Sequence, residues 1–309
     1  MQWQDEIRAA QDRITGQVVK TPVFKSDAFG PTVAFKLEQM QHTGSFKTRG
    51  AFNTLIASEV PEAGVVAASG GNHGAAVAFA ARQLGHRARI FVPEIAGPAK
   101  IELIERTRAE LTVVPGEYAN ALELAEREAS ESGAMQVHAY DAPLTVAGQG
   151  TVMLEWEAQG LDADTVLIAV GGGGLIGGAL AWLGGRVKVV AVEPMTSCAL
   201  HEALAKGAPV DVPVSGVAAN ALGARRIGRI CFALAKGGAV HSVLVSDSAI
   251  VEAQQSLWQA HRQLVEPAGA TALAALLSGA YTPEDGERVA VLVCGGNIAP
   301  EPVFELTRT

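Results

Sequence analysis

Lys47 lies in the run T-G-S-F-K-T-R-G-A, residues 43–51, between a small polar turn and a stretch of helical character at 51–58. A lysine tucked beside Phe46 and a glycine-rich turn loses part of its preference for the charged form, because burial penalises an isolated ammonium. An amine that is neutral near pH 7 is a nucleophile, and its common use is an imine with a carbonyl carbon. The same run also reads as a surface lysine at a helix start. Taken alone it leaves both readings open.

Three glycine-rich segments bear on that choice. G-G-G-G-L at 171–175 follows an apolar strand and opens a helix. Four glycines let successive N–H groups turn toward one point, and the helix adds its positive end, which together suit a phosphate. No Lys-Ser or Lys-Thr follows, so this is not a Walker loop. Glu193 is the only acidic residue near the position a dinucleotide fold would need. S-G-G-N-H-G at 69–74 repeats the strand-to-helix pattern and makes a second anion site, with Asn72 able to donate and accept. An ordinary helix cap by Ser69 or Asn72 explains it equally when it is read alone. V-C-G-G-N at 293–297 puts Cys294 at a strand end, either as a small inert hydrophobe or as a weak partner for a ligand atom.

The elements that must position these segments alternate in type. Strands are expected at 33–38, 64–68, 88–92, 111–114, 165–170, 187–192, 241–245 and 289–293. Helices are expected at 74–84, 98–108, 118–131, 175–183, 249–263 and 268–278. Such alternation predicts βαβ units and mostly parallel sheets with helices on both faces. Ligands in those sheets bind beyond the carboxyl ends of the strands, which is where all three glycine clusters fall.

The bulk composition narrows the classes. With 309 residues, 49% of them hydrophobic and 18% charged, the chain can bury a large core in two lobes or one domain. A net charge of −8 without a basic patch argues against nucleic acid and anionic membranes as partners. The polar start M-Q-W-Q-D-E-I-R is not a secretory leader, and no apolar run is long enough to span a bilayer. Cys198, Cys231 and Cys294 are widely spaced and odd in number, so neither a disulfide framework nor a metal spacing follows. A reducing, cytoplasmic setting is expected.

Taken together and in order, S-F-K-T-R-G-A, S-G-G-N-H-G, G-G-G-G-L, E-P-A-G-A (266–270) and C-G-G-N resemble the serine/threonine dehydratase (threonine ammonia-lyase) family. These are pyridoxal-phosphate enzymes of the tryptophan-synthase-β fold type, fold type II. The likeness runs over nearly the whole chain. It implies two α/β lobes with pyridoxal 5'-phosphate in the cleft between them. Residues 1–58 and 142–309 would form the larger, cofactor-binding lobe, and 59–141 a small mobile lobe.

The resemblance also implies roles. Lys47 would form the imine with the cofactor aldehyde and act as catalytic base. Phe46 would pack on one face of the ring, and Gly216, in V-S-G-V-A, on the other. Asn72 would partner the ring hydroxyl. Gly171, Gly172, Gly173, Gly174 and Leu175 would hold the phosphate, and Ser69, Gly70, Gly71, Asn72 and His73 the substrate carboxylate. Cys294 would face the ring nitrogen, where a thiol is a neutral partner and a carboxylate would keep that nitrogen protonated. Glu266 reads as a polar group near the substrate or as a glutamate at a helix start. His42 reads as an exposed loop residue that could reach the substrate, and His138 and Asp141 as structural.

The expected reaction is β-elimination of water from L-threonine or L-serine, giving a 2-keto acid and ammonia. Hydroxyaspartate or phenylserine are alternative substrates, and serine racemisation is an alternative reaction. Serine racemases of this family carry a second serine where Gly70 stands, so racemisation through a second protein base is not expected. Their divalent ion lies near an E-P motif with an acidic residue six positions after the glutamate. Here Glu193-Pro194 are present but position 199 is alanine, and whether any cation binds is left open. The short stretch after the last glycine cluster leaves no room for a regulatory domain, so control by isoleucine is not expected. A homodimer is the family expectation. Outside enzymes, the alternative is a non-catalytic ligand-binding protein on the same scaffold.

Overall fold

The computed structural model describes residues 2–30, 32–69, 71–116, 118–236 and 240–299. Gly70 therefore lies outside the described residues. Among the described residues there are ten strands: β1 Val23–Ser26, β2 Val33–Leu37, β3 Val65–Ala68, β4 Ala88–Pro93, β5 Glu110–Val114, β6 Met135–Gln136, β7 Thr165–Ala169, β8 Lys188–Pro194, β9 Val240–Val245 and β10 Val289–Val293.

They form two sheets. The larger runs β1-β2-β10-β7-β8-β9 and the smaller β5-β4-β3-β6. All pairings are parallel except β1 with β2, so the fold is α/β with two parallel-sheet regions flanked by helices. Every residue of β7 and β10 is buried, as expected for central strands covered on both faces. Edge strand β5 is largely exposed.

The strands expected from β-branched runs appear, with ends shifted by one or two residues. Strands β1 and β6 and the helices Trp3–Ile14, Pro143–Ala158, Ala199–Lys206, Ala219–Leu222 and Arg229–Ala235 were not expected. Pro143–Ala158 is buried on nearly all sides, so it has no polar stripe to give a helical period. Strand β1 is a short antiparallel edge whose register with β2 runs from Val23 opposite Lys36 to Ser26 opposite Val33.

The core of the large sheet includes Phe35, Leu167, Ile168, Val190 and Val291, all fully buried. A second cluster under the small sheet includes Val65, Ala75, Ile90 and Ile104. Ala51, Phe52 and Leu55, from the helix Lys47–Ala57, belong to that second cluster. The helix that begins with Lys47 thus packs into the core of the small sheet.

Its first turn is fixed to the large sheet by a buried charge network. Arg49, fully buried, donates from Nε and Nη2 to the two oxygens of Glu38 at 2.9 and 2.8 Å. It also donates to both oxygens of Glu155, at 3.1 and 2.9 Å. Lys36 completes the group, donating to Glu155 at 2.5 Å, Gln159 at 2.6 Å and the Thr21 carbonyl at 2.9 Å. Two cations face two carboxylates, so the network is neutral and richly hydrogen-bonded, the condition under which buried charge is tolerated.

Candidate active site

The loops after β3, β7 and β10 and the start of the Lys47 helix converge. Ser45 bridges to Gly295, and the Phe46 N–H donates to the Cys294 carbonyl at 3.2 Å. The lysine run is thereby stitched to the end of the central strand β10. Lys47 Nζ donates to the Ala139 carbonyl at 3.0 Å and lies 5.2 Å from the centre of the Phe46 ring. Burial pulls the Lys47 amine down to about 8, against the opposing influence of Cys294 and Glu266. The amine still carries its proton for the most part at pH 7, yet releases it far more readily than an ordinary lysine, as a nucleophile requires.

Cys294 is buried, and its thiol donates to the Ala268 carbonyl at 3.3 Å. Burial pushes that thiol well above its ordinary range. It is a neutral group.

The loop 171–174 packs closely on its neighbours. A Cβ on Gly172 would overlap the edge of the Tyr140 ring, and one on Gly173 would overlap Cys231. Gly173 also has φ +92, a conformation that glycine adopts without strain. The helix Gly174–Leu183 starts here, with Leu175 buried in its first turn. Among the described residues, the N–H groups of Gly171 to Gly174 have no backbone partner. That exposes a row of donors at a helix N-terminus, the surroundings a phosphate takes.

The second loop has the same character. Ser69 Oγ accepts from the Gly71 N–H at 3.0 Å, shaping the turn into the helix Asn72–Gln83. The N–H groups of Asn72, His73 and Gly74 have no backbone partner among the described residues. His73 is buried, and its Nε2 lies 2.8 Å from the Val137 carbonyl oxygen. Burial first, and the nearby Lys47 second, push the His73 imidazole down to about 3, so it is neutral.

Asn72 is held from two sides. Its Nδ2 donates to Glu266 Oε1 at 2.5 Å, and its Oδ1 accepts from Asn297 Nδ2 at 2.8 Å. Asn297 also donates to the Thr43 carbonyl at 2.7 Å. One Asn72 amide hydrogen remains for another acceptor. A Cβ on Gly295 would overlap Glu266 Oε1 and push that carboxylate from its place against Asn72.

Lys47, Phe46, Asn72 and Cys294 are thus brought together, with Glu266 among them. The neighbours of Gly216 are Thr196 and Asp247, so its place opposite Phe46 rests on the resemblance. His42 is half-buried and packs on Phe79 with ring centres 5.0 Å apart, rather than standing free in a loop. His138 Nδ1 accepts the N–H groups of Tyr140 and Asp141, and Asp141 accepts that of Ile230. Glu193 accepts the N–H groups of Leu200 and His201, both at 2.8 Å, at the start of the helix Ala199–Lys206.

Sequence reasoning assigned no role to Ala139, Tyr140, Asn297 or Lys100. Asn297 stood inside the last glycine motif and was the one with a signal. The others reach the site from segments without a motif.

The donor set fits pyridoxal 5'-phosphate: an amine of lowered basicity, a glycine cradle with unpartnered amides, an oriented amide and a neutral thiol. A family model described as pyridoxal-phosphate dependent enzyme matches residues 14–295. The chain is similar to an L-threonine ammonia-lyase of Geobacter sulfurreducens, 36% identical over 301 residues, covering 94% of this chain and 75% of that protein. It is 35% identical over 300 residues to a phenylserine dehydratase of Ralstonia pickettii, covering 94% and 92%. Among solved structures, maize serine racemase aligns with a TM-score of 0.91 at 31% identity, over 98% of this chain and 95% of that one. A serine racemase from Dictyostelium discoideum aligns at 0.87 with 29% identity, over 96% and 98%.

Proposed function

The chain belongs to the pyridoxal-phosphate dependent enzyme family, and we propose that it eliminates water from L-threonine or L-serine, releasing a 2-keto acid and ammonia. The observation that carries this reading is the Lys47 amine, drawn down to about 8 among three glycine-rich strand exits.

Gly171 to Gly174 with Leu175 would hold the cofactor phosphate, Phe46 and Gly216 would pack on the ring, and Asn72 and Cys294 would partner its polar atoms. Bound pyridoxal 5'-phosphate supplies an electron sink for the charge left when the α-proton departs.

The remaining chemistry belongs to the chain's own residues. Ser69, Gly70, Gly71, Asn72 and His73 seat the substrate carboxylate at the helix N-terminus. The neutral Lys47 amine takes the α-proton; in the net reaction that proton and the β-hydroxyl depart as one water, and a second water turns the released enamine into the 2-keto acid and ammonia. Neutral Cys294 adds no charge that would favour side reactions over that departure. Neutral His73 leaves the carboxylate to the amides and does not compete as a base.

The protein acts as a homodimer in the cytoplasm, with 59–141 closing over the substrate. Phenylserine is the second substrate to try, since a relative named for it is nearly as similar as the threonine ammonia-lyase.

The deciding experiment measures ammonia from L-serine, D-serine, L-threonine and phenylserine beside a Lys47→Ala control. Borohydride should fix the cofactor to Lys47 in the unaltered chain. A colourless protein that stays so with added pyridoxal phosphate would sink this reading and favour a binding protein on the same scaffold.

A further inference from the structure

Lys100 approaches the site from the helix Pro98–Glu105 and is 4% exposed. Its side chain lies across Gly71: a Cβ there would overlap Lys100 Cδ and stand 3.1 Å from Nζ. The ammonium is 3.5 Å from Glu266 Oε2. That is a Coulombic contact without a hydrogen bond, and among the described residues neither Lys100 Nζ nor Glu266 Oε2 has a hydrogen-bond partner.

A buried ammonium has three donors to satisfy, and leaving them unmade is costly. Its position adds to the cost. The N-terminus of the helix Asn72–Gln83 is itself positive and opens on the same spot. Against the Lys100 ammonium and a helix end stands one carboxylate, and Asn72 already occupies its other oxygen. The ammonium is short of an acceptor.

Resting on the proposed reading of the site, we propose that Lys100 is a substrate-binding residue. Its ammonium turns from Glu266 onto the α-carboxylate of the amino acid as that carboxylate seats on the amides of Asn72 and His73. An acidic side chain on the substrate offers the same chemistry. The adjacency of Lys100 to Gly71 favours the α-carboxylate, because that is where the loop amides point.

The test titrates the cofactor-loaded protein with L-alanine, L-alaninamide and L-aspartate, following cofactor absorbance. L-Alanine has no β-leaving group, so the readout survives even if the chain eliminates nothing and the proposed function fails. Lys100→Met should weaken L-alanine roughly 10- to 100-fold, the usual cost of a lost charge-assisted hydrogen bond. L-Alaninamide should change less than about twofold, and Lys100→Arg should keep most of the preference for a carboxylate. If Lys100→Met does not fold, Lys100→Gln is read the same way. Equal weakening of L-alanine and L-alaninamide would reduce Lys100 to a structural prop. Unchanged L-alanine affinity, a loss confined to L-aspartate, or no absorbance response to any ligand in the unaltered protein would each overturn the assignment.

Discussion

Arg49 meets Glu38 through two parallel hydrogen bonds, 2.9 Å from Nε and 2.8 Å from Nη2, with both side chains fully buried. Glu38 directly follows strand β2, and Arg49 stands two residues after Lys47. The fork therefore fixes the reactive amine to the large sheet at two points. Replacing Arg49 by Met would leave the buried Glu38 carboxylate without a cation and Glu155 with Lys36 alone. We expect a loss of about 3–5 kcal/mol in stability, read from urea unfolding, with Arg49→Lys recovering only part because lysine cannot make the fork.

Lys47→Ala should abolish borohydride fixation of the cofactor and lower ammonia release by a factor of about 100 to 10,000. The measurement is the coupled ammonia assay beside the absorbance spectrum. Turnover within tenfold of the unaltered chain would move the base elsewhere.

The lowered basicity of Lys47 has a consequence for stability in the cofactor-free protein. Below about 8 the amine is charged in both folded and unfolded chains, and burial of that charge costs the folded state its full penalty. Between about 8 and 10.5 the unfolded chain binds the proton and the folded one releases it, so folding stability rises with pH. The rise is up to about 3 kcal/mol. It should appear as the difference between the unaltered protein and Lys47→Met across that window, the variant lacking the slope. Comparing the two cancels the buried thiol Cys231, which titrates in the opposite sense, while Cys294 faces Lys47 and is best replaced by serine in both proteins.

Gly172→Ala pushes a methyl group into the Tyr140 ring. The loop must shift, at a cost of about 1–3 kcal/mol, and the affinity for pyridoxal phosphate should fall about tenfold or more. Adding Tyr140→Ala to the same chain should restore part of the affinity. Equilibrium dialysis of the cofactor decides it, and identical affinities in all three proteins would free the loop from this packing.

Cys294→Ser should keep elimination as the main outcome, because hydroxyl and thiol are both neutral. Cys294→Asp should shift products toward transamination, seen as accumulating pyridoxamine phosphate. Unchanged partitioning would remove the assigned influence of position 294.

Strands β7, β8 and β10 were legible in the sequence because buried parallel strands are written as unbroken apolar runs, and glycine clusters marked the ends of β7 and β10. The helix Pro143–Ala158 was not, since burial on all sides erases the polar face that gives a helical period. Lys47, Asn72 and Cys294 stood in recognisable motifs. Ala139 contributes only a carbonyl oxygen, which any residue possesses. Lys100 is one amine in a plain helix, and nothing local marks it as buried; only the crossing of that helix over Gly71 does. Glu266 read equally as a helix-start glutamate and as a site group. It occupies the first role by position and the second by its bond to Asn72.

Strand β10 sits between β2 and β7, although Val289 is far downstream of both in the chain. While the protein is being synthesised, β2 and β7 have no partner in common until residues 289–293 emerge. Such distant pairings assemble slowly. The same segment delivers Cys294 and Gly295, so a nascent chain gains its reactive pocket only at the moment its main sheet is sealed.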